Sequence, residues 1–358
     1  MTFVPGVGAV FPIIIGAFLV AALVALMATP LIERLVQGFG SLDHLDERRI
    51  HDRPVPRGGG VAVALAFVLV GGGLVVFGGG LEGYPAWRSV QPINLIGLFG
   101  GAALATIIGA VDDRYDLRAR WQFMGQLALA AVAILAGITV GFIGNPFGSD
   151  NIQFPLAVGA AFTVVWVVGM INSLNFIDGL DGLSTGIALI AAVTLGVLSL
   201  TTQVNQPLVA VLCFALAGGL LGFLRWNFHP ARIFQGTAGV MFLGYALAVL
   251  AILGSAKVVV ALLVLAVPII DTFWVIVRRL SSGRSPFSPD RGHIHHRLLD
   301  LGLSHRSTVL LIYAVCATLG LMSLLVSSAT GVFAFLGALL VFGVVALLLR
   351  RNDAGAAA

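Results

Sequence analysis

The sequence predicts an all-α, polytopic membrane protein of about eleven transmembrane helices, with its N-terminus outside and its C-terminus cytoplasmic. Three observations predict it. Of 358 residues, 59% are hydrophobic and only 10% charged, whereas a soluble globular chain carries roughly 25% charged residues. The mean hydropathy is +1.03. Apolar runs also recur along the chain, each near the ~20 residues that cross a bilayer as a helix. Residues 1–358 therefore read as a single integral membrane domain. A soluble fold is excluded, and no nucleic-acid partner is expected.

In order, the runs are 8–28, 60–78, 92–111, 122–142, 155–171, 183–201, 207–224, 239–254, 257–277, 309–327 and 330–349. The first is not read as a cleaved signal, because the first basic residue, Arg34, follows it. The 45 glycines fit close backbone approach between helices better than chemistry. Cys213 and Cys316 lie in separate runs and read as small buried apolar side chains.

Charge gives the orientation. Of the 20 basic residues, all but Arg88 and Lys257 fall in one alternate set of loops. The positive-inside rule places that set in the cytoplasm. Of the 16 acids, only Glu82 and Asp150 lie in the other set. Acids and arginines crowded together at helix ends point to a site for a metal and phosphates; plain surface charge is the alternative.

Four constellations carry that idea. Asp112-Asp113 ends a long apolar run. Adjacent carboxylates repel unless a cation is near, so the pair reads as a Mg²⁺ or proton-handling site or as a solvated helix end. Asn172-Ser-Leu-Asn175-Phe-Ile-Asp178-Gly-Leu-Asp181-Gly182 interrupts apolar sequence with two amides and two carboxylates. Spacings of three put these near one helical face. Gly179 and Gly182 would permit a ligand's close approach, and oxygen ligands suit a hard cation. Polar residues gluing helices together are the alternative. Trp226-Asn227-Phe228-His229-Pro230, running on to Phe234-Gln-Gly236-Thr237, offers aromatics, an amide and a helix start that favours phosphate. Asp290-Arg291-Gly-His293-Ile-His295-His296-Arg297 packs three histidines and two arginines together. Such a loop fits a phosphate or diphosphate better than zinc, because arginines flank it and no cysteine does.

Together these segments resemble the polyprenyl-phosphate N-acetylhexosamine-1-phosphate transferases, over roughly residues 30–310. The resemblance also includes Arg49-Ile-His51-Asp-Arg-Pro54-Val-Pro56-Arg57-Gly-Gly. The histidine segment is most similar to the GlcNAc/teichoic-type branch. The family moves an N-acetylhexosamine 1-phosphate from a UDP-sugar to a polyprenyl (undecaprenyl) phosphate and releases UMP. Members start peptidoglycan, teichoic-acid, O-antigen and enterobacterial common-antigen synthesis. The resemblance implies a multi-pass protein of the bacterial plasma (inner) membrane, Mg²⁺ (or Mn²⁺) as cofactor, and compatibility with a homodimer. It implies catalytic roles for Asp112, Asp113, Asp178, Asp181, His293, His295 and His296. It puts Arg57, Asn172, Asn227, Phe234, Gly236 and Arg291 on the substrate side, with Phe234 stacking on uracil. It gives the metal to Asn175, Asp178, Asp112 and position 237.

Two departures stand out. The usual loop reads Phe-x-Gly-Asp-x-Gly-Ser, but here Thr237 replaces the Mg²⁺-binding aspartate and Val240 the serine. Gln122 stands where many members have lysine. A second reading is therefore a non-catalytic relative that binds a UDP-sugar or polyprenyl lipid. A transporter would predict internal repeats, and none is evident.

Overall fold

The computed structural model describes residues 3, 7–39, 41–43, 55–77, 90–143, 145, 151–254, 258–283, 292–325, 333–337 and 340. Among them the protein is a bundle of helices with two short hairpins. Ten of the eleven apolar runs coincide with helices; most of the run 330–349 lies outside the described residues. The helices are α1 (Val7–Gly38), α2 (Gly60–Phe67) continuing through a π-helical turn into α3 (Gly73–Phe77), α4 (Pro92–Tyr115), α5 (Ala119–Leu135), α6 (Leu156–Ile177), α7 (Leu183–Ser199), α8 (Pro207–Asn227), α9 (Gly236–Leu253), α10 (Val258–Val264), α11 (Ala266–Ser281), α12 (Ile294–Asp300) and α13 (His305–Leu325). Strands β1 (Leu42–Asp43) and β2 (Val55–Pro56) pair antiparallel, as do β3 (Phe142–Ile143) and β4 (Ile152–Gln153).

Seven described helices are long and apolar enough to cross a bilayer, or eight if α10 and α11 form one span. The run 257–277 reads as one span, and within it α10 and α11 meet at 80°. Two further apolar helices, α5 and α7, have 17 residues each. The run 122–142 overshoots α5 because Gly137, at φ +74°, turns the chain. Its neighbour Ile138 N–H returns to the Ala133 carbonyl at 2.9 Å, closing the helix end.

Helices α8 and α9 form the centre: 83% of their apolar windows is buried, against 28% for α1. Lipid offers helices little hydrophobic reason to associate, so small residues that admit a neighbour's backbone decide the packing. Gly218 and Gly222, four apart on α8, are the clearest case. A Cβ on either would stand 2.1 Å from the carbonyl oxygen of Phe18 or Ala22 on α1. The Tyr245 hydroxyl of α9 bonds the Gly97 carbonyl of α4 at 2.7 Å, and Trp166 of α6 bonds the Ala248 carbonyl at 3.1 Å. The C-terminal ends of α4, α6 and α8 and the N-terminal ends of α2, α7 and α9 are thereby brought to one end of the bundle. Phe3 bridges Thr201 at the opposite end.

Candidate active site

The site begins with backbone pairing between remote segments. Phe234 N–H bonds the Pro56 carbonyl at 2.9 Å, and Gly59 N–H returns to the Phe234 carbonyl at 2.8 Å. Gly60 N–H reaches the Gln235 carbonyl at 2.9 Å. Ser41 Oγ donates to the Asp113 carbonyl at 2.9 Å. These bonds clamp the start of α2, the end of α4 and the start of α9 together.

Asp113 completes the clamp. Its Oδ1 accepts the Thr237 N–H at 2.7 Å and its Oδ2 the Ala238 N–H at 2.9 Å. A carboxylate across two free N–H groups at a helix N-terminus is a capping arrangement, favoured by hydrogen bonding and by the helix dipole. Gly236 makes the approach possible: it sits at φ +71°, and a Cβ there would lie 2.6 Å from Asp113 Oδ2. Both Asp113 oxygens are thus engaged by α9. Position 237 contributes its N–H to Asp113.

Asp112 is also buried. Its Oδ1 accepts the Leu117 N–H at 3.0 Å and the Gln122 amide at 2.8 Å. Position 122 therefore contacts the first carboxylate of the pair, here through a neutral donor. Arg57 Nη1 stands 3.6 Å from Asp116 Oδ1, and its charge also acts on Asp113 and Asp178.

The central loop follows α6. Asn172 and Asn175 occupy its last turns, and Asp178 caps its end. The Asn172 amide donates to Gln126 Oε1 of α5 at 2.7 Å, so it joins helices at this end. Ser184 Oγ donates to Asp178 Oδ1. Burial pushes the Asp178 carboxyl up to about 7, with the Ser184 bond pulling the other way. Asp181 Oδ2 instead binds His229 Nδ1 at 2.7 Å and accepts the Ala231 N–H at 3.0 Å. Asn227 is buried, its amide donating to the Ile233 carbonyl at 3.0 Å and its Oδ1 accepting from Thr185 at 2.7 Å.

The histidines form a second wall. His293 caps the short helix α12. Its Nδ1 lies 2.7 Å from Oδ2 of the buried Asp271, whose Oδ1 accepts the Ile294 N–H at 2.9 Å. An aspartate on Nδ1 keeps the proton there and leaves Nε2 as the acceptor nitrogen. His293 and His295 stack at 5.6 Å, and His295 and His296 rings lie 4.3 Å apart. Burial holds His295 well below the usual histidine range, so it is neutral at pH 7. A Cβ on Gly179 would lie 2.3 Å from His295 Nε2. The close approach expected of a ligand at Gly179 is made by His295. Gly182, at φ +77°, turns the chain into α7. Arg291 lies outside the described residues.

Sequence reasoning passed over Asp271, Ser184, Thr185 and Gln235. Asp271 carried a signal, being the one acid in the run 257–277. An ionisable residue in a spanning segment is costly and marks function.

The donor set fits a divalent ion in one way. Asp113 has both oxygens engaged, while among the described residues Asp112 and Asp178 each take hydrogen bonds on one oxygen only. Among the described residues the three carboxylates do not converge as a closed three-ligand set. Mg²⁺ is commonly held by one or two carboxylates plus substrate phosphates and waters, and this site has that form. Asp181, His229 and His305 do place ligand atoms within 4.8 Å of one another. However, the two imidazoles stack at 4.1 Å and 19°, so their in-plane lone pairs run side by side instead of converging on an ion.

The model of the glycosyl transferase family 4 matches residues 95–255. A probable undecaprenyl-phosphate N-acetylglucosaminyl 1-phosphate transferase of Bacillus subtilis is 33% identical over 323 residues, 88% of this chain and 86% of the relative. A decaprenyl-phosphate N-acetylglucosaminephosphotransferase of Mycobacterium tuberculosis is 35% identical, covering 94% of this chain and 89% of the relative. An undecaprenyl-phosphate alpha-N-acetylglucosaminyl 1-phosphate transferase of Yersinia pestis is 30% identical over 63% of this chain and 64% of its own length. With the motif segments gathered at one end of an all-α membrane bundle, this likeness over most of the chain shows that it belongs to the polyprenyl-phosphate N-acetylglucosamine-1-phosphate transferase family.

Proposed function

We propose that this protein transfers N-acetylglucosamine 1-phosphate from a UDP-sugar to a polyprenyl phosphate, releasing UMP, at the cytoplasmic face of a bacterial plasma membrane. The observation that carries the reading is the convergence of Arg57, Asp112, Asp178, Phe234 and the histidine wall on one end of the bundle. The 18 basic residues in alternate loops favour that end as the cytoplasmic one.

Phosphoryl transfer is mainly positioning and charge neutralisation. Phe234 offers a face for the uracil base. Arg57 supplies a fixed positive charge for phosphate oxygens. An acceptor phosphate oxygen attacks the sugar-linked phosphorus, and the bond from that phosphorus to UMP breaks. A phosphate monoester has its second pKa near 6, so the acceptor is mostly dianionic at neutral pH and needs no strong protein base. Asp112, Asp178 and Asn175 are the residues that would hold Mg²⁺ (or Mn²⁺). The ion would neutralise charge on the diphosphate and the departing UMP. Gln122 and the Leu117 N–H orient Asp112, and Ser184 orients Asp178.

The test is transfer of label from UDP-GlcNAc into polyprenyl phosphate by purified protein, with and without Mg²⁺. Product formation that requires the ion is expected. No product at saturating Mg²⁺, with UDP-sugar still bound, overturns the reading in favour of a binding relative. Cysteines at Gln203 and Gly283 should label from opposite faces; labelling from the same side refutes the orientation.

A further inference from the structure

Gln235 lies between Phe234 and Gly236 and is 1% exposed. Its side chain meets two hydroxyls at the start of α7. With Oε1 facing them, Ser184 Oγ lies at 2.9 Å and Thr185 Oγ1 at 2.6 Å. The proton count then fails. Ser184 has one hydrogen for two acceptors, Asp178 Oδ1 and Gln235 Oε1. Thr185 has one hydrogen for two acceptors, Asn227 Oδ1 and Gln235 Oε1. Meanwhile Gln235 Nε2, with two hydrogens, is buried with no hydrogen-bond partner among the described residues. A buried donor left unmade is costly, and the two faces of an amide are told apart by the network around it.

Asn227 decides between them. Its Nδ2 donates to the Ile233 carbonyl, so its Oδ1 must face Thr185 and accept. Thr185 therefore spends its hydrogen on Asn227, and whatever faces Thr185 from position 235 has to be a donor. Turning the amide by 180° satisfies every donor and leaves a single acceptor, Oε1, without a partner among the described residues. Nε2 donates to both hydroxyl oxygens, Thr185 donates to Asn227, and Ser184 donates to Asp178.

We infer that Gln235 is a positioning residue that acts through two hydroxyls at once, holding the Asp178 carboxylate through Ser184 and the Asn227 amide through Thr185. The inference rests on the transferase reading above and deepens it. Gln235 feeds hydrogen bonds outward from a buried centre, one arm to a metal-side carboxylate and the other to a nucleotide-side amide. One glutamine thereby fixes the relative placement of the two half-sites, and small errors in such placement are expensive in rate.

The direction of donation gives a sharp test. Gln235→Met removes the donor but leaves both hydroxyls free to serve Asp178 and Asn227. Gln235→Glu presents acceptors, which draw both hydroxyl hydrogens inward and strip Asp178 and Asn227 of theirs. Transfer from UDP-GlcNAc should therefore rank wild type, then Met lower by up to about tenfold, then Glu lower by about a hundredfold, from the loss of neutral and charge-assisted bonds respectively. The arms should also separate. Ser184→Ala should lower kcat with the UDP-GlcNAc KM held, whereas Thr185→Val should raise that KM with most of kcat retained. Thermal scans and size exclusion of each variant check folding, and the Ser184 and Thr185 pair stands if the Glu variant fails to fold. A Glu variant as active as Met means the oxygen faces the hydroxyls, and the inference falls. It falls equally if Ser184→Ala and Thr185→Val change the same constant. Absence of transfer by wild type refutes the underlying reading; transfer with the reversed ranking refutes the Gln235 relay alone.

Discussion

Replacing Asp113 by asparagine separates a metal ligand from a helix cap. Both Asp113 oxygens take N–H groups at the start of α9, at 2.7 and 2.9 Å. Asparagine keeps one acceptor and turns an amide N–H₂ toward the other N–H. One charge-assisted bond is lost, at a cost of about 1.5–3 kcal/mol. Alanine removes both acceptors and leaves two N–H groups unsatisfied where the residue is buried, at about 1–3 kcal/mol each. With a Tm shift of about 2 °C per kcal/mol in a chain of this size, Asn should lower Tm by roughly 3–6 °C and Ala by roughly 4–12 °C. Thermal unfolding of purified protein in detergent, without Mg²⁺, reads these shifts. An Asn variant with unchanged Tm but a raised Mg²⁺ requirement would refute the cap and return Asp113 to the metal.

Four further outcomes follow from the site. Gly179→Ala puts a methyl 2.3 Å from His295 Nε2, so the histidine wall must shift; transfer should drop at least about tenfold, and an active variant would show the contact to be dispensable. Thr237→Asp should lower the Mg²⁺ concentration needed for half-maximal transfer, because carboxylate count tunes affinity for hard cations; no change in a titration removes position 237 from the metal's surroundings. Phe234→Ala should weaken UDP-sugar binding by about 1–3 kcal/mol, the range for base stacking, and unchanged UDP affinity by calorimetry would take Phe234 out of the site. Asp178, with its carboxyl raised to about 7 by burial, is protonated below that pH in ion-free protein. Its folded value exceeds the unfolded one, so its contribution to stability is present at low pH and lost as pH rises through about 7. Ion-free Tm should accordingly fall between about pH 4 and 7 and level off above that, and Mg²⁺ should bind more tightly as pH rises over the same window; a flat Tm and a flat Mg²⁺ affinity across it would show that Asp178 titrates normally.

The bundle was readable because bilayer thickness sets the length of an apolar run whatever its neighbours are. Hydropathy does not encode backbone direction, so the bend at Leu265 and the early end of α5 at Gly137 escaped it. The identities of the site residues were readable too, since charges and amides at the ends of apolar runs have few alternatives. Their partners were not. Asp113 reads as half of a repelling pair until α9, 124 residues on, supplies its N–H groups. Gly179 reads as room for a ligand until His295 fills that space. Gln122 in place of lysine reads as a loss, yet its amide still reaches Asp112 at 2.8 Å. In each case the missing information is a contact between distant parts of the chain, which local pattern does not hold.

The Asp113 cap also carries a timing. Its two N–H partners are made 124 and 125 residues after it. At ~5–20 residues per second, a ribosome takes roughly 6–25 s to reach them. For that interval α4 stands in the membrane with a carboxylate near its end and nothing from α9 to receive it, a state that hydrocarbon tolerates poorly. The nascent bundle must therefore keep the end of α4 at the aqueous boundary until α9 arrives, and the site closes in one of the later acts of synthesis.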